Sequence, residues 1–268
     1  LRFRMYHLQR LWTPMNHHVQ LGLTVCLLAT MVPVMSLADD PDPRSGVYEL
    51  RVYTCDEGRL PALNSRFENH TIDLFARHGM TNVAYFTPID SPPAENTLIY
   101  FLWHQSKDAA AESFAAFRTD PEWIRVRDES EKDARILSEP VSSTFLELTD
   151  YSNTLPKANQ DVVYELRTYT APEGKFEALQ KRFRDHTLKL FEKHGMTNVA
   201  YFVPTEEPKS ANTLVYLLAH KSLDAARESW KAFIADPEWK AAHAASEKDG
   251  KLVEKLEAVY LKPTLYSP

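Results

Sequence analysis

The chain has 268 residues, 44% of them hydrophobic and 25% charged, an ordinary composition for one large or two modest globular domains. Its formal net charge is −6 and no stripe of Lys and Arg follows the sequence, so we expect no nucleic-acid partner. The two cysteines are Cys26, in an apolar leader, and Cys55. One thiol in the body of the chain excludes a disulfide framework and a cysteine-based zinc site.

The first 38 residues predict a cleaved signal peptide. They contain Arg2, Arg4 and Arg10 but no acid, an uncharged stretch runs from Val19 to Met35, and Ser36-Leu37-Ala38 gives a small-x-small cleavage site. The alternatives are an uncleaved membrane anchor and a mitochondrial presequence. We therefore expect a secreted or periplasmic protein with no stable membrane anchor after cleavage, and a mitochondrial location as the alternative.

The remainder of the chain repeats itself at an offset of 116 residues. Tyr48–Arg51 recurs as Tyr164–Arg167, and the nine-residue run His78–Phe86 recurs unchanged as His194–Phe202. A unit of this length is too long for a solenoid repeat, so we interpret it as a duplicated domain.

In chain order, the first copy predicts a β-α-β-β-α-β unit. The predicted elements are a strand at Val47–Thr54, a helix at Leu60–His78, strands at Thr81–Thr87 and Thr97–His104, a helix at Ser106–Phe117, a second helical segment that Asp120 caps, and a strand at Ser143–Leu148. This order is the ferredoxin-like unit, whose sheet carries helices on one face only. The other face needs a cover, and the second copy can supply it. We predict an α+β protein in which domain 1 (46–151) and domain 2 (162–267) pack sheet to sheet as a pseudo-twofold dimeric α+β barrel.

Three of the repeated segments carry a resemblance to a known family. Tyr48–Arg51, the His-Gly-Met run at His78–Phe86 and the Asp-Pro-Glu-Trp segment Asp120–Trp123 resemble the NIPSNAP family, whose domain belongs to the dimeric α+β barrel superfamily. The resemblance covers 47–151 and 163–266 and implies the fold. It implies no catalytic residues, because the family has no agreed ones. Eukaryotic members are associated with mitochondria and with protein partners, and the predicted signal peptide departs from that pattern.

Alternation along the strands places charged and aromatic residues on one face of each sheet. These residues are Glu49, Arg51, Tyr53 and Tyr100 in the first copy and Glu165, Arg167, Tyr169 and Tyr216 in the second. We predict that this polar set faces the interior of the barrel and forms a small-molecule site there. The alternative is a Glu–Arg pair in each copy that satisfies itself and is purely structural.

Four histidines are candidate general bases, because imidazole titrates near neutral pH. His70 and His186 lie on the first helix of each copy, and His104 and His220 end the third predicted strand. The alternative role for His70 is a hydrogen bond to neighbouring backbone. The spacing of the histidines predicts no metal site. The chain has only seven glycines and no glycine-rich phosphate loop, so we predict no cofactor.

Three functions remain open at this point. The first is a protein that binds a small organic molecule in the barrel or in the cleft between helices and sheet. The second is a cofactor-independent enzyme of oxygenase or isomerase type that uses a cavity His or Tyr, which rests on analogy within the superfamily. The third is an interaction scaffold with a protein partner or a second copy of itself. The residues alone do not decide whether the protein is an enzyme.

Overall fold

A computed structural model describes residues 42–89 and 95–268. The signal peptide predicted for residues 1–38 lies outside the described residues. None of the helices in the described ranges is long and apolar enough to span a bilayer.

The first repeat has the predicted order of strands and helices. Its elements are β1 (Val47–Thr54), α1 (Leu60–Arg66), a π-helical turn (Phe67–Thr71), α2 (Ile72–Arg77), β2 (Thr81–Pro88), β3 (Thr97–His104), α3 (Lys107–Thr119), α4 (Pro121–Ser130) and β4 (Ser142–Leu148). As predicted, Asp120 caps α4, and its carboxylate accepts the backbone N–H groups of Glu122 and Trp123.

The second repeat follows the same plan. Its elements are β5 (Val163–Thr170), α5 (Phe176–Arg182), a π-helical turn (Phe183–Thr187), α6 (Leu188–Lys193), β6 (Thr197–Pro204), a 3-10 turn (Lys209–Ala211), β7 (Thr213–His220), α7 (Leu223–Ala235), α8 (Pro237–Ser246) and β8 (Lys255–Pro263).

The two sheets close into one barrel with the strand order β1-β3-β2-β8-β5-β7-β6-β4. Each repeat alone has β2 and β4, or β6 and β8, as unpaired edges. Antiparallel pairing of β2 with β8 and of β4 with β6 joins these edges across the repeats. Closure removes every exposed edge in the described sheet, and the second repeat supplies the strands that pair with the edges of the first. The predicted α+β barrel is confirmed.

The interior of the barrel is an apolar core shared by both repeats. Rings from the two halves meet there: Tyr48 lies 5.2 Å from Phe202 and Phe101 lies 5.9 Å from Phe202, between ring centroids. Leu50 and Val52 of β1 pack against the same core. Two further cores fill the space between the helices and the sheet, one in each repeat.

The predicted direction of the polar set is therefore wrong. Arg51 lies against Phe114 of α3, with 4.5 Å between the guanidinium carbon and the ring centroid, and Tyr53 packs in the helix-covered core. Glu49, Arg51 and Tyr53 face the helices, and their neighbours on β1 face the barrel interior. Both faces of the sheet are buried, so alternation shows two faces without telling which is inside. The closed interior holds the apolar face.

The long first helix of each repeat is interrupted by one π-helical turn. A π-helical turn contains one residue more than an α-helical turn. In the turn Phe67–Thr71, the hydroxyl of Thr71 donates to the backbone carbonyl of Arg66 at 3.0 Å. Thr187 makes the same bond to Arg182 at 3.1 Å. Such turns re-aim side chains and are frequent at functional sites, and these lie beside the clefts described next.

Candidate functional site

Glu49, Arg51 and His104 form a buried charged cluster between the sheet and the helices of the first repeat. One oxygen of Glu49 accepts a hydrogen bond from Nη1 of Arg51, and the other lies 2.9 Å from Nε2 of His104. Nε–H of Arg51 donates to the hydroxyl of Tyr100 at 3.0 Å. Glu49 and His104 are each 1% exposed. The antiparallel pairing of β1 with β3 brings these side chains onto one face.

The charge state of this cluster follows from competing effects on Glu49. Burial raises the pKa of the Glu49 carboxyl, but the hydrogen bond with His104 and the charge of Arg51 together lower it below its ordinary value. The ionised carboxylate accepts the Nε2–H of His104. Nδ1 of His104 is buried and has no partner among the described residues, so it is a free acceptor whenever the imidazole is neutral.

The second repeat builds the same cluster from Glu165, Arg167 and His220. Glu165 accepts from Nη1 of Arg167 and lies 2.9 Å from Nε2 of His220. Here Arg167 donates to Tyr169 at 3.1 Å, and burial raises the pKa of Tyr216 well above its ordinary value. The structure thus brings the predicted residues together, but as one cluster in each repeat and not as one shared lumen.

Each carboxylate has a third donor, and the two repeats supply it differently. Ser143 of β4 donates to Glu49 at 2.5 Å. Strand register puts Ala258 at the equivalent place in β8. The indole N–H of Trp230 on α7 instead donates to Glu165 at 2.7 Å. Loss of one donor on a strand accompanies gain of another on a helix, so the carboxylates keep three hydrogen bonds.

This exchange of donors predicts the behaviour of a designed pair of variants. Ser143→Ala lowers the free energy of unfolding by about 1 kcal/mol, because a hydrogen bond to a charged group is lost at a partly solvated site. Adding Phe114→Trp, the residue found in the second repeat, restores part of that loss. Urea unfolding measures both changes, with Ser142→Ala as the neutral control. A double variant no more stable than Ser143→Ala contradicts the compensation.

A cleft opens beside the cluster in the first repeat; we call it cleft 1. Its volume is about 280 Å³. Its walls are mainly the rings of Tyr53, Phe67, Phe75, Phe114, Phe117 and Trp123. Arg51 and the π-helical turn border it. An apolar, aromatic wall with few polar groups is the usual form of a small-molecule site.

The second repeat has an equivalent cleft, cleft 2, of about 380 Å³. Its aromatic wall consists of Tyr169, Phe183, Phe191, Phe233 and Trp239. Each of these lies 116 positions after a residue of cleft 1. The duplication therefore keeps a cavity, and not only a fold.

A second ion pair borders each cleft. Nη1 of Arg66 donates to Glu131 at 2.9 Å, and the Arg66 guanidinium carbon lies 5.2 Å from the ring centroid of Trp123. Arg182 and Glu247 form the same pair, also at 2.9 Å. Sequence reasoning missed these residues. The available signal was an arginine at the same place on the apolar face of the first helix in both copies.

The remaining histidines lie elsewhere. His70 borders a separate groove between α1 and α4, and His186 is exposed, so neither reaches the charged clusters. His78, at the end of α2, lies 2.8 Å from the capping carboxylate of Asp120. Among the described residues, no three His, Cys, Asp or Glu side chains are grouped as metal ligands.

The NIPSNAP family model matches residues 48–153 and 164–268 of the chain. No match is found among curated proteins. A solved NIPSNAP family protein of unknown function from Agrobacterium tumefaciens is 29% identical, with 42% of this chain and 96% of that chain covered and a TM-score of 0.35.

Two more distant solved structures span most of the barrel. An anthrone oxidase-like protein is 13% identical, with 82% of this chain and 92% of that chain covered and a TM-score of 0.53. A candidate monooxygenase from Fusobacterium nucleatum is 9% identical, with the same coverage of both chains and a TM-score of 0.51. At these identities the likeness shows the fold alone.

Proposed function

The chain belongs to the NIPSNAP family, and from the cavities that its two family domains share we propose that it is a binding protein with one small, ring-containing organic molecule in each cleft. The observation that carries the proposal is the pair of equivalent cavities of about 280 and 380 Å³, each with an aromatic wall beside a buried charged cluster. Cavities near this size are typical of small-molecule sites.

The barrel interior is filled with side chains, which supports the clefts as the place of binding. Tyr48, Phe101 and Phe202 fill the interior and are at most 1% exposed. The clefts, by contrast, are open to solvent along the borders formed by Val141 and Leu256. A ligand can enter them without breaking strand pairing.

The test uses 2-naphthol as a flat, uncharged probe and follows the tryptophan indole signals by NMR. Trp123 reports on cleft 1 and Trp239 on cleft 2. We expect the probe to shift both signals.

Matched variants locate the binding. Val141→Trp and Leu256→Trp place a ring at the borders of clefts 1 and 2 from positions outside the buried core, and we expect each to abolish the shift in its own cleft. Leu265→Trp, at a position 93% exposed, is the control for an added tryptophan. Unshifted signals in the native chain, or shifts that survive the blocking variants, would rule out binding in the clefts.

One observation favours a second function, proton transfer without a cofactor. Nδ1 of His104 and of His220 is buried and without a partner in the described residues, while a carboxylate holds Nε2 of each ring. A carboxylate that orients an imidazole is one element of a general-base site. Neither histidine borders cleft 1 or cleft 2, so the substrate of this function would approach Nδ1 from outside the clefts. His104→Gln and His220→Gln should then keep ligand binding and lose turnover; unchanged turnover in the double variant would rule this function out.

A further inference from the structure

The charge around both clefts runs opposite to that of the chain. The sequence has 37 acids against 31 Lys and Arg. Cleft 1 nevertheless has four arginines on its border, and three of them have carboxylate partners: Arg51 with Glu49, Arg66 with Glu131 and Arg127 with Asp128. Arg118 is left as its unpaired cation among the described residues. Cleft 2 has Arg182, paired with Glu247, and Lys251. An apolar cavity with an unpaired cation at its border attracts anions.

A buried donor in each cleft lacks an acceptor. Arg66 and Arg182 border the two clefts, and the side chain of each is 3% exposed. Nε of each has no hydrogen-bond partner among the described residues. Buried N–H groups are nearly always paired in native proteins, and each exception calls for an explanation, of which a bound water or ion is one. A carboxylate oxygen is a strong acceptor for a guanidinium group.

The rim of each cleft adds a cation without a counter-ion. Neither Arg118 nor Lys251 has a carboxylate oxygen within 4.0 Å in the described part of the chain. The two are not equivalent: Ile234 occupies the position of Arg118 in the second repeat, and Arg135, the counterpart of Lys251, does not border cleft 1. Each repeat thus supplies its rim cation from a different position, so this charge is not a simple consequence of the duplication.

We propose that the ligand of each cleft is an apolar, ring-containing carboxylic acid bound as its anion. The ring packs against the aromatic wall, and the carboxylate lies toward Arg66 and Arg118 in cleft 1 and toward Arg182 and Lys251 in cleft 2. This inference rests on the proposed binding function and adds the chemical class of the ligand.

The test compares 2-naphthoate with 2-naphthol, which share a ring system and differ in charge at pH 7. Indole signals of Trp123 and Trp239 in the full chain give the affinity of each cleft separately. We expect naphthoate to bind both clefts about tenfold more tightly than naphthol, as charge-assisted hydrogen bonds allow.

Single variants then assign the rim cations. Arg118→Ala should weaken naphthoate about fivefold at cleft 1 only, and Lys251→Ala about fivefold at cleft 2 only, the size expected of one solvated ion pair. Naphthol affinity should not change in either. Lys231→Ala, an exposed cation on α7 outside both clefts, is the control and should leave both affinities unchanged.

The outcomes separate this inference from the proposed function. If naphthol and naphthoate bind with equal affinity, the ligand is not recognised through a carboxylate, and the proposed binding function remains. Affinities unchanged by Arg118→Ala and Lys251→Ala would overturn the assignment of the rim cations. Binding of neither probe would overturn the binding function itself.

Discussion

Glu49→Gln lowers the free energy of unfolding by about 3 kcal/mol, because it leaves the charge of Arg51 buried without a counter-ion. The side chains of Glu49 and Arg51 are only 2% and 13% exposed, so water replaces only part of the interaction with the carboxylate. Urea unfolding measures the loss. Glu122→Gln, which breaks a solvent-exposed pair with Arg77, is the control and should cost less than about 1 kcal/mol.

A double variant tests whether Glu49 and Arg51 act as an ion pair. Glu49→Gln combined with Arg51→Met removes both charges and should regain part of the lost stability, because an unpaired buried charge costs more than an apolar replacement. A double variant less stable than Glu49→Gln would show that the cluster does not act as an ion pair.

The pH dependence gives a second check on Glu49. Its pKa is lowered in the folded protein from an ordinary value of 4.5, so its stabilising contribution is complete above pH 4.5 and is lost as the pH falls toward the folded pKa. The difference in stability between the native chain and Glu49→Gln should therefore shrink from pH 6 to pH 3. If this difference in stability stays constant from pH 6 to pH 3, Glu49 does not stabilise the fold as an ionised carboxylate.

Phe202→Ala destabilises the whole barrel by about 3–5 kcal/mol, the usual cost of removing a buried phenylalanine ring. Phe202 belongs to the second repeat, but its ring packs against Tyr48 and Phe101 of the first. Because the core is shared, both repeats should still unfold together. Trp123 and Trp239 pack against the cores between helices and sheet of the first and second repeat. Their fluorescence in single-tryptophan variants measures the unfolding of each repeat.

The control for Phe202→Ala is Leu265→Ala, at a side chain 93% exposed, with an expected change below about 0.5 kcal/mol. If Phe202→Ala shifts the transition of Trp239 and leaves that of Trp123 in place, the repeats are independent domains and the common core is wrong.

The sequence by itself determined the elements and the duplication. Strand alternation, helical spacing and the cap at Asp120 are local signals, and self-comparison showed that each element occurs twice. The closed barrel then followed from one requirement, that each sheet must bury the face its helices leave bare. The cluster of Glu49, Arg51 and Tyr100 on one face was also predictable, because adjacent antiparallel strands align such residues.

Only the tertiary structure decided which face of the sheet lies inside. Alternation gives the same pattern whether the polar face meets the other repeat or the helices, and both faces are buried here. The ion pair of Arg66 with Glu131 joins residues 65 positions apart, on elements whose relative placement no local pattern fixes. The clefts depend on that placement, so the sequence identified many of the residues of the candidate site but not the cavity in which they act.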